Sequence, residues 1–534
     1  MTLAALPPDK AERGAPAGDP GRGAAVLRGQ FDLAGGLVDL ANDPWAADGL
    51  DEAARASLHR FGWLDDLAAL DSTEARQTAA TLFDRWDERC GSYTEISWRA
   101  DVLAARIVNW LANYAALYDS AETSFRVRFL DSIARQLRHL RRVVVTETPP
   151  EDRLDALKGL IYGEACVTSD AERVGRALAL LEAELERDIL PDGSHVSRSP
   201  GRQLDVLEKL IDIRAVLTSA SQEVPVSLRN AIDRMAPMTR FLRHCDGALA
   251  CFHGGGRPDP ARISRVLIRS DAQGRAPKRA PYAGYERVDT SGLVLILDGA
   301  APPVEGQDAA AHAGVMSFEL SANGHRLFVN CGAAPASDED WHQALRTTAA
   351  HSTMVVDDRN SCELTPTGVG RRPASVECDR GEIDGNIWIS SSHDGYEPRY
   401  GLTHRRRLYI DRNGGDLRGE DILVGNQHVA YALRFHLHPA VTARPEPDAR
   451  ALTLALPNGD RWRFRSEIPL DLEDSVYCED TTGIRRSRQI VVRGETDSEA
   501  TGLKWRLHRD PADPPPAGDA AEAAESLEVP PFKQ

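Results

Sequence analysis

Three segments carry the side chains best suited to chemistry. LPDGSHVSRSPGRQ, residues 190–203, places His195, Arg198 and Arg202 on a short connection behind an Asp192-Gly193 turn. One imidazole and two guanidiniums on a loop could clamp a carboxylate, because the guanidinium fork matches its two oxygens. The same residues would also make an ordinary helix connector with solvated arginines. VNCGAAPASDEDWHQALRTTAAHSTMVVDDRNS, residues 329–361, holds His342, Arg346, His351 and the pair Asp357-Asp358. His351 stands just before the apolar run 354–356 and is expected to open a strand, as a core residue or as a ligand. SSSHDGYEPRYGLTHRRRL, residues 390–408, adds His393, Asp394, Tyr396, His404 and three consecutive arginines. His351 and His393 are too far apart for a local metal motif, so a zinc site would need them to meet on neighbouring strands.

Two periodicities must position these segments, and they exchange near residue 255. Before it, apolar residues recur at helical spacing. The stripes are Leu103, Ile107, Trp110, Tyr114 and Leu117; Leu130, Ile133, Leu137, Leu140 and Val144; Val174, Leu178, Leu181, Leu185 and Ile189; and Val206, Leu210, Ile213 and Leu217. Each follows the i, i+3/4, i+7 rule. Consecutive helices with short breaks imply stacked hairpins: a bundle, a solenoid or an α/α toroid.

After residue 256 the pattern is that of strands. Asn323-Gly324 marks a two-residue turn that would pair Leu320 with Leu327 and Phe318 with Val329. In LTLALPNGDRWRFR a three-residue loop, Asn458-Gly459-Asp460, would pair Leu456 with Trp462 and Leu454 with Phe464. Further strands are expected at 292–297, 387–391, 407–410, 430–436 and 490–493. Many short strands with frequent turns suggest a large antiparallel sandwich. The expected organisation is therefore a disordered tail over 1–24, a helical domain over 25–255, a sandwich over 256–509 and an acidic disordered tail over 510–534, with Gly254-Gly255-Gly256-Arg257-Pro258 as the linker.

Composition narrows the function classes. The 534 residues carry a formal charge of -17, of which -9 falls in 25–255, -3 in 256–509 and -5 in 510–534. This acidity argues against a dedicated duplex nucleic-acid binder, whose interface needs a strongly positive face, although a local cluster can still grip an anion. The basic residues are nearly all arginine, with six lysines. Eight cysteines without a CxxC pair argue against a zinc ribbon or a disulfide scaffold. No membrane span is expected, since no run of about 18 apolar residues exists. The first 23 residues show no secretory h-region, so a cytoplasmic location is expected.

The three segments together resemble the heparinase II/III family of polysaccharide lyases. SFELSANGHRLFVNCG followed by RTTAAHSTMVVDDRNS is the strongest part, supported by HDGY at 393–396 and DGSHVSRSP at 192–200. The resemblance spans roughly residues 55–510. It implies an incomplete α/α toroid followed by an antiparallel β-sandwich. It also implies β-elimination on a uronate, in which a base removes the C5 proton, a clamp holds the charge growing on the carboxylate, and an acid protonates the leaving oxygen.

In the family the toroid supplies an Asn-His clamp and a Tyr soon after the RSP element, the sandwich supplies a histidine, and a sandwich zinc is structural. This chain departs from that pattern. Gly201-Arg202-Gln203 stands where a Tyr-His pair is typical, and PPEDRLDALKGLIYG, residues 149–163, offers Asp152 and Arg153 where the Asn-His pair is expected. An arginine stays protonated and is a poor base. The resemblance thus leaves Arg153, Arg198, Arg202 and Arg346 as substrate-binding candidates. It leaves His195, His351, Tyr162 and Tyr396 as catalytic candidates, and His351 with His393 as zinc ligands.

The implied function is a lyase on a uronate-containing glycan. Its rivals are an acidic-glycan-binding or scaffold protein on the same fold, and an epimerase that shares the proton abstraction. Related lyases work in the periplasm, the other location the resemblance allows.

Overall fold

The structure is a computed structural model that describes residues 18–531 except 34, 35, 41, 42, 120, 169, 257, 336, 337, 479–482, 498 and 511–525, together with residues 3, 5, 7 and 8. Its contacts divide the chain into two units: residues 1–188 with 206–233, and residues 189–205 with 234–534.

The first unit is helical, as the stripes require. Thr123–Thr146 buries Leu130, Ile133, Leu137, Leu140 and Val144 on one face. Ala100–Ala112 buries Leu103, Ile107 and Trp110, and its stripe runs on into a π-helical turn, Tyr114–Tyr118. Side-chain caps start the helices Glu52–Arg60 and Thr73–Cys90, where Asp51 and Ser72 accept backbone N–H groups that have no helical partner. Gly159 lets two helices touch, since a Cβ there would lie 2.5 Å from the Cα of Ala104. The fully buried Arg106 lies over the Trp86 ring at 4.2 Å and donates to Gln136, to the His59 carbonyl and to the Ser97 carbonyl. The expected N-terminal tail is shorter than 1–24, because Asp19 caps a helix over Pro20–Leu27. Residues 9–17 lie outside the described residues.

The second unit contains two large antiparallel sheets. One runs, in hydrogen-bonded order, from Leu470–Cys478 through Ile484–Glu495, Ala430–Leu437, His325–Val329, Phe318–Ala322, Leu293–Asp298 and Tyr285–Thr290 to Arg279–Ala280, with Met354–Val356 paired to Ala430–Leu437. The other runs from Val376–Ile383 through Asn386–Tyr396, Leu402–Ile410, Asp416–Val424, Ala500–Arg509, Arg461–Ser466 and Ala451–Ala455 to Thr442–Pro445. Apolar residues of both sheets form one core. In it Phe435 packs edge-on to Trp505 at 4.8 Å and Phe464 lies 4.9 Å from Phe435. Full burial of a side chain of this size is worth ~1.5–3 kcal/mol, which is what drives the alternating residues inward.

The registers correct two sequence expectations. The turn at Asn323-Gly324 has two residues, with Ala322 opposite His325, but a bulge then sets Leu320 against Phe328 instead of Leu327. The second hairpin does turn through three residues, yet one position earlier. Leu456 N–H bonds the Asp460 carbonyl, Gly459 takes a φ of 89°, and Leu454 rather than Leu456 pairs with Trp462.

Two boundaries move as well. The helix Pro260–Ser270 follows the expected linker, so the helical pattern does not end at 255. The loop at 189–199 groups with the sheets, together with the first turns of the helix Pro200–Ser219 that follows it. Residues 526–531, expected in the C-terminal tail, lie on the second sheet. The Trp388 indole donates to the Pro530 carbonyl at 2.8 Å, Arg418 donates to the Glu528 carbonyl at 3.1 Å, and Lys504 pairs with the Glu528 carboxylate at 2.7 Å. Residues 511–525 of that tail lie outside the described residues.

Candidate functional site

The 190–203 loop is fastened at both ends. Gly193 has a φ of 87°, and a Cβ on it would lie 2.2 Å from the Arg234 carbonyl oxygen, so only glycine fits the turn. Asp192 accepts the backbone N–H groups of Tyr282 and Ala283 at 2.9 and 3.0 Å. Gln203 is 1% exposed. Its amide accepts the His195 N–H at 2.6 Å and donates to the carbonyls of Gly193 and Met235. A residue standing where the family carries part of its Tyr-His pair therefore braces the loop.

Arg198 is buried and held in the left-handed region at a φ of 56°. Its guanidinium pairs with Asp298, donates to the Ala283 carbonyl at 2.7 Å and lies over the Tyr285 ring at 4.9 Å. The Tyr285 hydroxyl returns a bond to the Arg198 carbonyl at 2.7 Å. The other Asp298 oxygen accepts Nε2–H of His253 at 3.0 Å. Burial alone would raise the Asp298 carboxyl, but the Arg198 charge and the His253 bond hold it below its ordinary range.

From His253 a chain of imidazoles continues. The His312 backbone N–H donates to Nδ1 of His253 at 3.2 Å. His351 Nδ1 must donate to the Thr347 carbonyl at 2.7 Å, which leaves its Nε2 to accept from His312 Nδ1 at 3.0 Å. Burial pushes His351 down to about 4, and burial with the facing His351 ring pushes His312 well below its ordinary value. Gly314 sits under His351, where a Cβ would come within 2.5 Å of the ring.

A second chain holds the HDGY segment. Nδ1 of His393 accepts the Gly395 N–H at 3.0 Å, and its Nε2 faces Nδ1 of His404 at 3.4 Å. His404 donates to Asp421 at 2.9 Å, and Arg406 and Trp505 complete that carboxylate at 2.7 and 2.9 Å. Burial opposes the Asp421 charge, but Arg406 and His404 outweigh it and bring the carboxyl down to about 2.

The residues proposed from sequence are thus spread over separate networks. His351 and His393 belong to different imidazole pairs, each with its ring nitrogens engaged. Among the described residues no group of three or more His, Cys, Asp or Glu is placed to hold a metal, so the pair does not fit the zinc ion the family implies.

Arg346 is fully buried and spends its guanidinium on the carbonyls of Ala311, Thr365 and Gly368. The Tyr396 hydroxyl donates to the Met354 carbonyl at 2.8 Å. In the helical unit, Tyr162 donates to the Asp212 carbonyl at 3.3 Å and Arg153 pairs with Glu184 at 3.1 Å. His195 Nδ1 lies 2.7 Å from the Ser197 hydroxyl. Arg202 is half-buried near the start of the helix Pro200–Ser219. His253, His312 and Asp298 carry no signal in the sequence, because each stands apart from the other chemistry-bearing side chains along the chain.

Comparison with known proteins agrees with this fold. The family described as Heparinase II/III-like, C-terminal matches residues 272–506. FtsZ-localized protein C of Caulobacter vibrioides is 30% identical over 514 residues, 92% of this chain and 88% of that protein. The heparan sulfate lyase HepC of Pedobacter heparinus superposes with a TM-score of 0.67 at 16% identity, covering 94% of this chain and 83% of the lyase. A heparinase III gene product superposes at 0.74 with 13% identity, covering 94% of this chain and 84% of its own. These are the α/α toroid and β-sandwich of polysaccharide lyases, and the chain belongs to the heparinase II/III-like family.

Proposed function

We propose that this protein uses the lyase fold to hold an acidic glycan without cleaving it, and that it does so at the bacterial division site. The observation that carries the first part is the fate of the loop at 190–203. Gln203, in the place of part of the family's Tyr-His pair, is spent bracing the loop, and Arg198, one of the loop's two candidate carboxylate clamps, is already neutralised by Asp298. β-Elimination needs a group free to take the C5 proton and donors free to meet the developing charge. Of the groups that could transfer the proton, His351 has both ring nitrogens bonded, and the Tyr162 and Tyr396 hydroxyls donate to backbone carbonyls. The second part rests on the likeness over nearly the whole chain to a protein whose name places it with FtsZ. It favours the cytoplasmic location.

Two measurements test this reading. Incubation with heparin, heparan, alginate, hyaluronan and glucuronan should give no rise in ultraviolet absorbance from an unsaturated uronate, while the immobilised chain retains at least one of these polymers. The chain should also co-sediment with GTP-assembled FtsZ. A steady absorbance rise would return the protein to catalysis, and absence from the FtsZ pellet would remove the division-site role.

A further inference from the structure

The arginines expected to bind substrate are mostly internal, whereas a cavity of about 390 Å³ in the sheet-bearing unit is lined by guanidiniums without ion pairs among the described residues. Its walls come from Arg359 and Asn360 at the end of the turn 357–360, Leu364 at the start of the strand Leu364–Thr365, and Arg399 and Tyr400 of the helical turn Glu397–Tyr400. Arg359, Arg371 and Arg399 all line it. Among the described residues neither Arg359 nor Arg399 forms an ion pair, whereas Arg198, Arg326, Arg372, Arg406 and Arg463 in the same unit all do.

The cavity wall is held by local bonds. Asp357 and Asp358 both take left-handed backbone, at φ of 49° and 51°, and the Arg359 N–H closes the turn onto the Val356 carbonyl at 2.9 Å. Asp357 also accepts the Tyr400 hydroxyl at 2.7 Å, which fixes that ring at the cavity wall. The Arg399 guanidinium lies 5.5 Å from the Tyr400 ring centre, so it is partly oriented before any ligand arrives. Arg371 is anchored to the Gly395 carbonyl at 3.1 Å. The acidic residue of the wall, Glu363, accepts the Arg371 backbone N–H at 3.2 Å. Leu364 and Tyr400 supply apolar surface beside the charges.

We infer that this cavity is a binding site for the carboxylate of an acidic sugar, with Arg359 and Arg399 as its principal donors. The guanidinium fork suits a planar carboxylate, the aromatic and aliphatic wall suits the face of a sugar ring, and the volume is that of a small-ligand site. The inference rests on the reading of the chain as an acidic-glycan binder, and it says where the ligand sits.

Calorimetry on the full chain tests it, with cellobiouronic acid as the probe and cellobiose and inorganic phosphate as comparators. The acid should bind at least tenfold more tightly than cellobiose or phosphate, and more weakly as salt is raised. The double variant R359A/R399A should lose at least tenfold in affinity at an unchanged melting temperature, since both side chains are exposed. Equal binding by the double variant, or equal binding of cellobiose, would overturn the site. So would phosphate binding as tightly as the sugar acid. If the variant still retains uronate polymers as the parent does, only this location falls and the glycan-binding reading stands. If the parent binds neither the disaccharide nor any polymer, both fall, while FtsZ co-sedimentation is decided separately.

Discussion

Nδ1 of His312 lies 3.0 Å from Nε2 of His351, and the Thr347 carbonyl on the far side of His351 settles which ring donates. Both rings are neutral in this arrangement, because an added proton on His351 Nε2 would point at the proton of His312. The same logic runs through His393 and His404. The fold thus stores several imidazoles in their uncharged form.

Stability should therefore depend on pH in a defined window. His59 and His436 are held down to about 3, and His244 and His351 to about 4, in each case by burial first. In the unfolded chain these groups titrate near the ordinary value of about 6.5. Above that pH neither state is protonated and their contribution is complete. Below it the unfolded chain gains protons that the folded one refuses, so stability is lost as pH falls from about 6.5 towards 4, at ~1.4 kcal/mol per pH unit for each group. Urea midpoints measured from pH 8 to 5 should be level above 6.5 and fall steeply below it. A level curve down to pH 5 would refute the neutral assignment.

Asp298→Asn should be costly. It leaves the buried Arg198 charge without its counter-ion and weakens the hold on His253. Breaking one side of a buried pair costs ~3–5 kcal/mol. Equilibrium denaturation reads this directly, and a loss under ~1 kcal/mol would mean that Arg198 is not committed to Asp298.

Zinc should leave the protein indifferent. With His351 and His393 in separate pairs, protein purified without chelator is expected to carry far less than one zinc per chain. EDTA should not move its melting temperature. Stoichiometric zinc by elemental analysis, lost together with stability on chelation, would contradict the hydrogen-bond assignment.

Gly419→Ala should disturb the core of the second unit. A Cβ at Gly419 would lie 2.1 Å from the Trp505 indole, which is fully buried. Overpacking of this kind costs ~1–3 kcal/mol. Gly415→Ala, with nothing within 4 Å of the added carbon, is the matched control and should be nearly silent.

Much of the fold was legible because periodicity reports burial directly. The stripe from Leu130 to Val144 became one buried helix face, and the strand expected over 430–436 appears as Ala430–Leu437. Register was less legible. The bulge beside Leu320 has no local signature, and the second hairpin placed Gly459 inside its loop one position away from where side-chain matching put it. The site was least legible. Arg198 and Arg346 look alike along the chain as exposed cations near histidines. Only tertiary contacts show one paired with Asp298 and the other surrounded by carbonyls. Arg359 and Arg399 lie inside the quoted segments beside more conspicuous histidines, and their freedom from ion pairs among the described residues is a property of the fold that spacing along the chain does not report.

Residues 526–531 work as a clasp. They hook the Trp388 indole, the Arg418 guanidinium and the Lys504 ammonium, which come from three different strands, and Val529 is tucked inward beside them. Trimming the chain at Asp510 as though only a floppy acidic extension followed would undo that clasp. It would strip the Trp388 indole, whose ring lies 5.2 Å from that of Tyr409, of its Pro530 carbonyl partner. A shortened protein would then be stickier rather than tidier, and loss of solubility on such trimming would say nothing about whether its core had folded.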